Sequence, residues 1–245
     1  MNVLNVRFEQ YICKIIKKFK MSHGISNSSV GRKFLMALSG FFLMFFLAQH
    51  LAINSLSVFS KDLFNEVSHF MGTNPLIQFV LQPILIFGVI FHLLMGMYLD
   101  SQNKSARPIK YAMDNPNENS NWLSRNMLIT GVMILLFMLL HFYDFWIPEI
   151  NTKFINGDWS GILNGEFRYW EELHHKFHNL VRVIIYCIAF ISLGLHLAHG
   201  FQSSFQSVGF NNKHTSTIKK LANLYAVIIP LGFIFIALFH YFTSL

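Results

Sequence analysis

Apolar residues run in long blocks along this chain, and polar residues gather in the short segments between them. Five blocks, residues 34–59, 76–99, 126–147, 177–199 and 221–242, approach or exceed the roughly 20 residues needed to cross about 30 Å of hydrocarbon. The pattern predicts an all-α membrane protein with five transmembrane helices. The first block follows Gly31-Arg32-Lys33. The second contains Pro83, which a membrane helix tolerates where neighbours satisfy the freed backbone groups.

Composition strengthens that reading. Residues are 53% hydrophobic and 13% charged, against about 25% charged in soluble domains. The 27 phenylalanines suit a lipid-facing surface. The net charge of +7 is informative for topology rather than for nucleic acid, since no aromatic-plus-basic recognition motif accompanies it. Alternate connecting segments carry 14 Lys and Arg on one side and 4 on the other. The positive-inside rule puts the N-terminus in the cytoplasm and the C-terminus outside. Residues 1–29 form a basic segment, cytoplasmic or on the membrane surface, ahead of a membrane domain at 30–245. Within it, residues 1–21 fit a basic amphipathic helix on an anionic leaflet or an extension upstream of a start at Met21. They do not fit a cleavable signal peptide, because lysines interrupt a short apolar stretch.

Cys13 and Cys187 share no motif. There is no C-x-x-C-H for covalent haem attachment, no cysteine cluster for an iron–sulfur centre, and no G-x-G-x-x-G or phosphate loop. Substrate chemistry is therefore expected on a partner.

Four histidines lie deep in four successive blocks: His50, His92, His141 and His196. Ionisable residues at membrane depth are costly and mark functional sites, and histidine is the commonest protein ligand for metals, haem iron included. With 1.5 Å of rise per residue, their depths follow from topology. His50 lies 17 residues past Lys33 and His141 lies 16 past Arg125, so both are roughly 24–25 Å from the inner face. His92 lies eight residues before Asp100 and His196 eight before Ser204, where their helices are expected to end, so both are roughly 12 Å from the inner face. The outer pair is thus His50 with His141, and the inner pair His92 with His196. Two stacked haems, each held by two imidazoles, suit this arrangement. Small residues, Ser39-Gly40 and Thr130-Gly131, lie near the inner depth and leave room for a macrocycle.

These residues carry a family resemblance. Ala48-Gln49-His50-Leu51-Ala52-Ile53-Asn54 resembles the Q-H-L-x-x-N of the first helix of succinate dehydrogenase cytochrome b subunits. Leu63-Phe64-Asn65, His69-Phe70-Met71, Phe91-His92-Leu93-Leu94-Met95-Gly96, Asn121-Trp122-Leu123, His141 and His196-Leu197-Ala198-His199-Gly200 continue the match in order. The resemblance covers roughly residues 30–243 and fits residues 148–176 poorly. It implies a five-helix, two-haem anchor of a succinate dehydrogenase or fumarate reductase in the bacterial cytoplasmic (inner) membrane. It also implies partners, a flavoprotein and an iron–sulfur subunit, and quinone, menaquinone by resemblance, as the membrane substrate. The matching histidines imply an inner haem b on His92 and His196 and an outer haem b on His50 and His141. His196 is preferred to His199, which lies about one turn nearer the inner face.

Other ionisable groups receive provisional roles. Arg182, inside the fourth block, needs a partner; a propionate of the outer haem and Asp144 are the candidates. Arg32 and Arg125 are candidates for the inner propionates. Glu66, His69 and His178, with Arg182, are the polar groups considered for a quinone site near the outer haem. Trp122 fits a membrane belt or the flank of an inner quinone site. His174 and His178 have the i, i+4 spacing of a metal site, yet His174, His175, His178 and His240 read first as interfacial residues. Two other functions stay open: a cytochrome b subunit of a hydrogenase or formate dehydrogenase, and a haem-free transporter with a histidine proton relay, for which no internal repeat speaks.

Overall fold

Ser60 ends one helix and begins the next. In the computed structural model, which describes residues 28–105, 126–210 and 215–245, its N–H donates to Leu56 O at 2.9 Å and its Oγ accepts from Leu63 N at 3.2 Å. Such side-chain caps satisfy groups that a helix end leaves bare. Ser28 Oγ caps α1 (Ser29–Phe59) at Gly31 N, and Asn179 Oδ1 caps α6 (Leu180–Ser207) at Arg182 N. The other membrane-length helices are α3 (Ile77–Asn103), α4 (Met127–Ile155) and α7 (Thr215–Thr243). All five are long and apolar enough to cross a membrane, as the block pattern predicts. Residues 1–27, Trp122 and Arg125 lie outside the described residues.

Two prolines are absorbed by wider turns. Pro83 and Pro148 each remove a donor and crowd the carbonyl four residues earlier. π-type turns at Ile77–Leu81 and Phe142–Trp146 lie just before them, and the relaxed i→i+5 pattern re-satisfies the backbone. The second π-type turn starts immediately after His141. As a result α4 continues past the expected boundary at 147 to Ile155.

The segment 156–176, unassigned by periodicity, folds with the first residues of the fourth block, 177–178, and α2 (Lys61–Thr73) into a cap. Strands β1 (Ile162–Leu163) and β2 (Glu166–Phe167) pair antiparallel, Ile162 with Phe167 and Leu163 with Glu166. Asn164 and Gly165 join them with φ of 53° and 89°, the left-handed conformations of a two-residue hairpin turn. Helix α5 (Tyr169–Phe177) follows. Asn65 ties α2 to this unit, donating to Phe167 O at 3.0 Å and accepting from Trp170 N at 2.8 Å. Buried Lys153 joins Glu149 at 2.5 Å and donates to Gly72 O, while Arg168 pairs with Glu149 and with Glu172 at 2.7 Å. The end of the bundle carrying these elements is the capped end; the other is the far end.

Lipid is as apolar as a leucine side chain, so close packing holds membrane helices together. The tightest seam is between α6 and α7, where Gly194 lies against Ala226 and Pro230 and Phe190 stacks on Phe233 at 5.2 Å. Gly232 on α7 meets Leu51 on α1, and Gly88 on α3 meets Phe42. Large apolar side chains such as Phe45, Phe87, Leu136 and Val181 are exposed on the outside of the bundle, as a lipid-facing surface requires.

Candidate haem centres

The far-end site begins with two hydroxyls. Ser39 on α1 donates its only hydrogen to Met36 O at 2.8 Å. Its Oγ, 2.9 Å from His92 Nδ1, must therefore accept, which makes His92 the Nδ1–H tautomer and leaves its Nε2 with a free lone pair. The same device recurs on α4. Thr130 donates to Met127 O at 3.0 Å and lies 3.2 Å from His196 Nδ1. His92 and His196 face each other with ring centroids 6.4 Å apart. Gly40 and Gly131 lie beside the rings, where an added Cβ would come within 3.7 Å of His92 Cε1 and 3.8 Å of His196 Cε1.

The capped-end site is aromatic instead. His50 and His141 face each other with centroids 5.8 Å apart and planes nearly perpendicular. Phe46, Phe233, Phe137 and Phe145 surround them. Asn54 Nδ2 donates to His50 O at 2.8 Å, and His141 Nδ1 is buried without a partner. One turn beyond His141, fully buried Asp144 accepts from Arg182 Nε at 3.0 Å and from Tyr186 OH at 2.9 Å, with Lys176 at 4.0 Å. Arg182 thus has the second of its two expected partners.

The two sites share a spacing. Ser39 precedes His50 by 11 residues, and Thr130 precedes His141 by 11. Eleven residues make close to three turns, roughly 16 Å of rise. Each of α1 and α4 therefore presents, along one face, a ligand for its own pair and a hydroxyl for the other pair.

Two imidazoles on opposite sides of one first-row metal, at about 2.0–2.1 Å each, hold their centroids about 6 Å apart. The observed 5.8 and 6.4 Å bracket that separation. With the free Nε2 atoms, the unpaired His141 Nδ1 and the glycines, the residues fit two bis-histidine haems. Arg32 adds a cation near the far end: its guanidinium lies 5.5 Å from the Tyr98 ring, and its Nε is buried without an acceptor. Among the described residues, no group of three or more His, Cys, Asp or Glu suits a bare metal ion.

The remaining candidates are scattered. Glu66 and His178 are exposed; His178 Nδ1 lies 3.2 Å from Ser244 Oγ. His69 stacks on Phe167 at 4.4 Å. Among the described residues, no hydrogen bond or ion pair is seen between Glu66 or His69 and His178 or Arg182. His199 is half-buried and has no ring contact with His92, so His196 alone faces that ring.

One expectation fails. His240, read as interfacial, is fully buried. The cap closes over it: Trp170 Nε1 donates to Ser57 O at 2.8 Å, and His174 stacks on Trp170 at 4.5 Å. His174 is half-buried, and that burial lowers its pKa, opposed by Glu171 and reinforced by His178. Burial, then Glu149, pushes Tyr169 up to about 12.

Sequence comparison gives a partial relative. The succinate dehydrogenase cytochrome b558 subunit of Bacillus subtilis (strain 168) is 30% identical over 101 residues, 40% of this chain and 46% of that protein. The chain matches less than half of that relative's length. No family model matches, and no solved structure matches. The chain is an all-α, multi-pass membrane protein, similar over part of its length to a succinate dehydrogenase cytochrome b subunit.

Proposed function

We propose that this chain is the membrane-anchor cytochrome b subunit of a succinate:quinone oxidoreductase, a succinate dehydrogenase or fumarate reductase. The observation that carries this reading is the pair of facing histidine couples, His50 with His141 and His92 with His196, at two depths of one bundle. The likeness to the Bacillus subtilis subunit points the same way. Two b haems, when bound, supply one-electron carriers between an iron–sulfur subunit and membrane quinone. Succinate or fumarate reacts on the flavoprotein partner.

The chain's own residues bind and orient. Ser39 and Thr130 hold Nδ1 of His92 and His196, which leaves Nε2 of each for a ligand bond; outer-shell bonds of this kind also raise ligand basicity. Gly40 and Gly131 keep the space beside those rings clear. Buried Arg32 Nε awaits an anion, for which a haem propionate is suitable. Arg125 holds the same role by sequence alone. Arg182 neutralises Asp144, so its link to a propionate is secondary. The far end faces the cytoplasm and the iron–sulfur subunit, and the capped end faces outward, following the Lys and Arg bias. Quinone, menaquinone by resemblance, binds near the capped-end pair, with Glu66, His69 and His178 as the groups to test.

A reduced-minus-oxidised spectrum of the purified chain with its accompanying subunits tests this directly. The reading expects b-type bands that succinate reduces. Absence of those bands sinks it, and reduction by hydrogen or formate instead would assign the chain to another oxidoreductase.

A further inference from the structure

The buried histidine at the end of α7 belongs to a chain of hydrogen bonds with one direction. Ser57 donates its hydroxyl hydrogen to Asn54 O at 2.6 Å. Its Oγ, 2.9 Å from His240 Nε2, can then only accept, so His240 carries its hydrogen on Nε2. That leaves a lone pair on His240 Nδ1, which lies 3.2 Å from His174 Nδ1. His174 therefore donates there, and its own Nε2 is bare. The order runs from half-buried His174 through fully buried His240 to Ser57 and Asn54. Asn54 in turn holds the carbonyl of His50.

We infer that His174, His240 and Ser57 form a proton relay between water at the capped end and the turn of α1 that follows His50. The inference rests on the proposed quinone chemistry. A quinone that gains two electrons, delivered from the iron–sulfur partner through the haems, also takes up two protons to become quinol. A proton reaching His174 Nε2 makes that ring an imidazolium. Its Nδ1 proton passes to His240 Nδ1, His240 gives its Nε2 proton to Ser57 Oγ, and the Ser57 hydroxyl hydrogen turns from Asn54 O to an oxygen of the reduced quinone, the terminal acceptor. Quinol oxidation runs the same steps outward. Each passage leaves both rings as the opposite tautomer, and ring rotation restores them. Imidazole alone among side chains takes a proton at one nitrogen and yields one at the other near neutral pH.

The surroundings favour this use over mere tethering of α5 to α7. An amide in place of either ring would bridge the same gap without titrating. Trp170 stacks on His174 and Phe177 on His240, so apolar rings pack against both imidazoles. The charged groups near it are Glu171 and His178 on α5, Lys61 of α2 over the Trp170 ring, and, beyond Phe177, the cluster of Asp144 with Tyr186, Arg182 and Lys176.

The test compares the intact complex in its wild-type form with His174→Ala, His174→Gln and His240→Gln. Haem bands are measured first, then the quinone-dependent rate across pH, with and without added imidazole. The relay predicts both haems in place, a rate at least about tenfold lower in all three variants, and recovery of His174→Ala by imidazole. His240→Gln should not recover, since its site is closed to solvent. Unchanged rates with both haems present would overturn the relay. So would lowered rates that keep the wild-type pH profile and ignore imidazole, because the pair would then be structural. A wild type without b-type bands removes the quinone reading itself and the relay with it, an outcome visible before any variant is compared.

Discussion

The two histidine couples use the same ligand type in opposite surroundings. At the far end, each ring is held by a hydroxyl from a neighbouring helix, Ser39 on His92 and Thr130 on His196. At the capped end, phenylalanines pack around His50 and His141, and His141 Nδ1 has no partner. With axial ligands alike, the levers left for tuning a haem are outer hydrogen bonds, burial and nearby charge. The far end uses the first. The capped end uses the second, with the Asp144–Arg182 pair one turn away. Under the proposed reading, the two couples would hold haems in unlike surroundings, and the comparison can be broken at several points.

The largest effects come from the ligands. His50→Ala should remove one b haem and His92→Ala the other, read as different components lost from the reduced-minus-oxidised spectrum. Loss of the same component in both would break the pairing. Next come the glycines. Gly131→Leu should exclude the far-end haem through contact with His196 while the capped-end haem persists; equal retention of both would place the macrocycle elsewhere.

Smaller shifts test the hydroxyls. Ser39→Ala should strand the buried Nδ1–H of His92, at a cost of about 1–3 kcal/mol. With less basic imidazoles, the far-end haem should become easier to reduce in both Ser39→Ala and Thr130→Ala. A redox titration should show that component rise and the other stay. Equal movement of both would mean that the hydroxyls act on the fold rather than on the ligands.

The smallest effect is in the cap. Burial holds the folded pKa of His174 below the ordinary 6.5, so the unfolded cap binds the extra proton more readily. Stability contributed by neutral His174 is present above 6.5 and declines as pH falls toward the folded pKa. Protection factors of the α5 amides, with the intrinsic pH dependence of exchange divided out, should therefore fall on acidification below about 6.5, with no change in the far half of α4. Protection factors that are flat with pH would show that His174 does not help hold the cap.

How much of this was legible in the sequence depends on geometry. Depth is one-dimensional, and 1.5 Å per residue suffices to match His50 with His141 and His92 with His196. The helix count follows equally from block length. Which way a residue faces around its helix depends on neighbours, so Ser39 and Thr130 read only as small residues near the inner depth. Their common 11-residue offset from His50 and His141 was the available signal. His240 read as interfacial because it ends the last block; nothing local announces that α5 folds over it. The ribbon was announced, by Asn164-Gly165 between apolar and aromatic residues, a short-range hairpin cue that membrane periodicity obscured.

The central claim is that four histidines hold two haems in two distinct sites. A haem determination on the purified chain, combined with a redox titration of the b-type bands, tests it most directly. The account predicts two haem b per chain, titrating as two separable components, with His92→Ala retaining only one of them. A wild type with no haem, or with a single component that survives in both His50→Ala and His92→Ala, would contradict it.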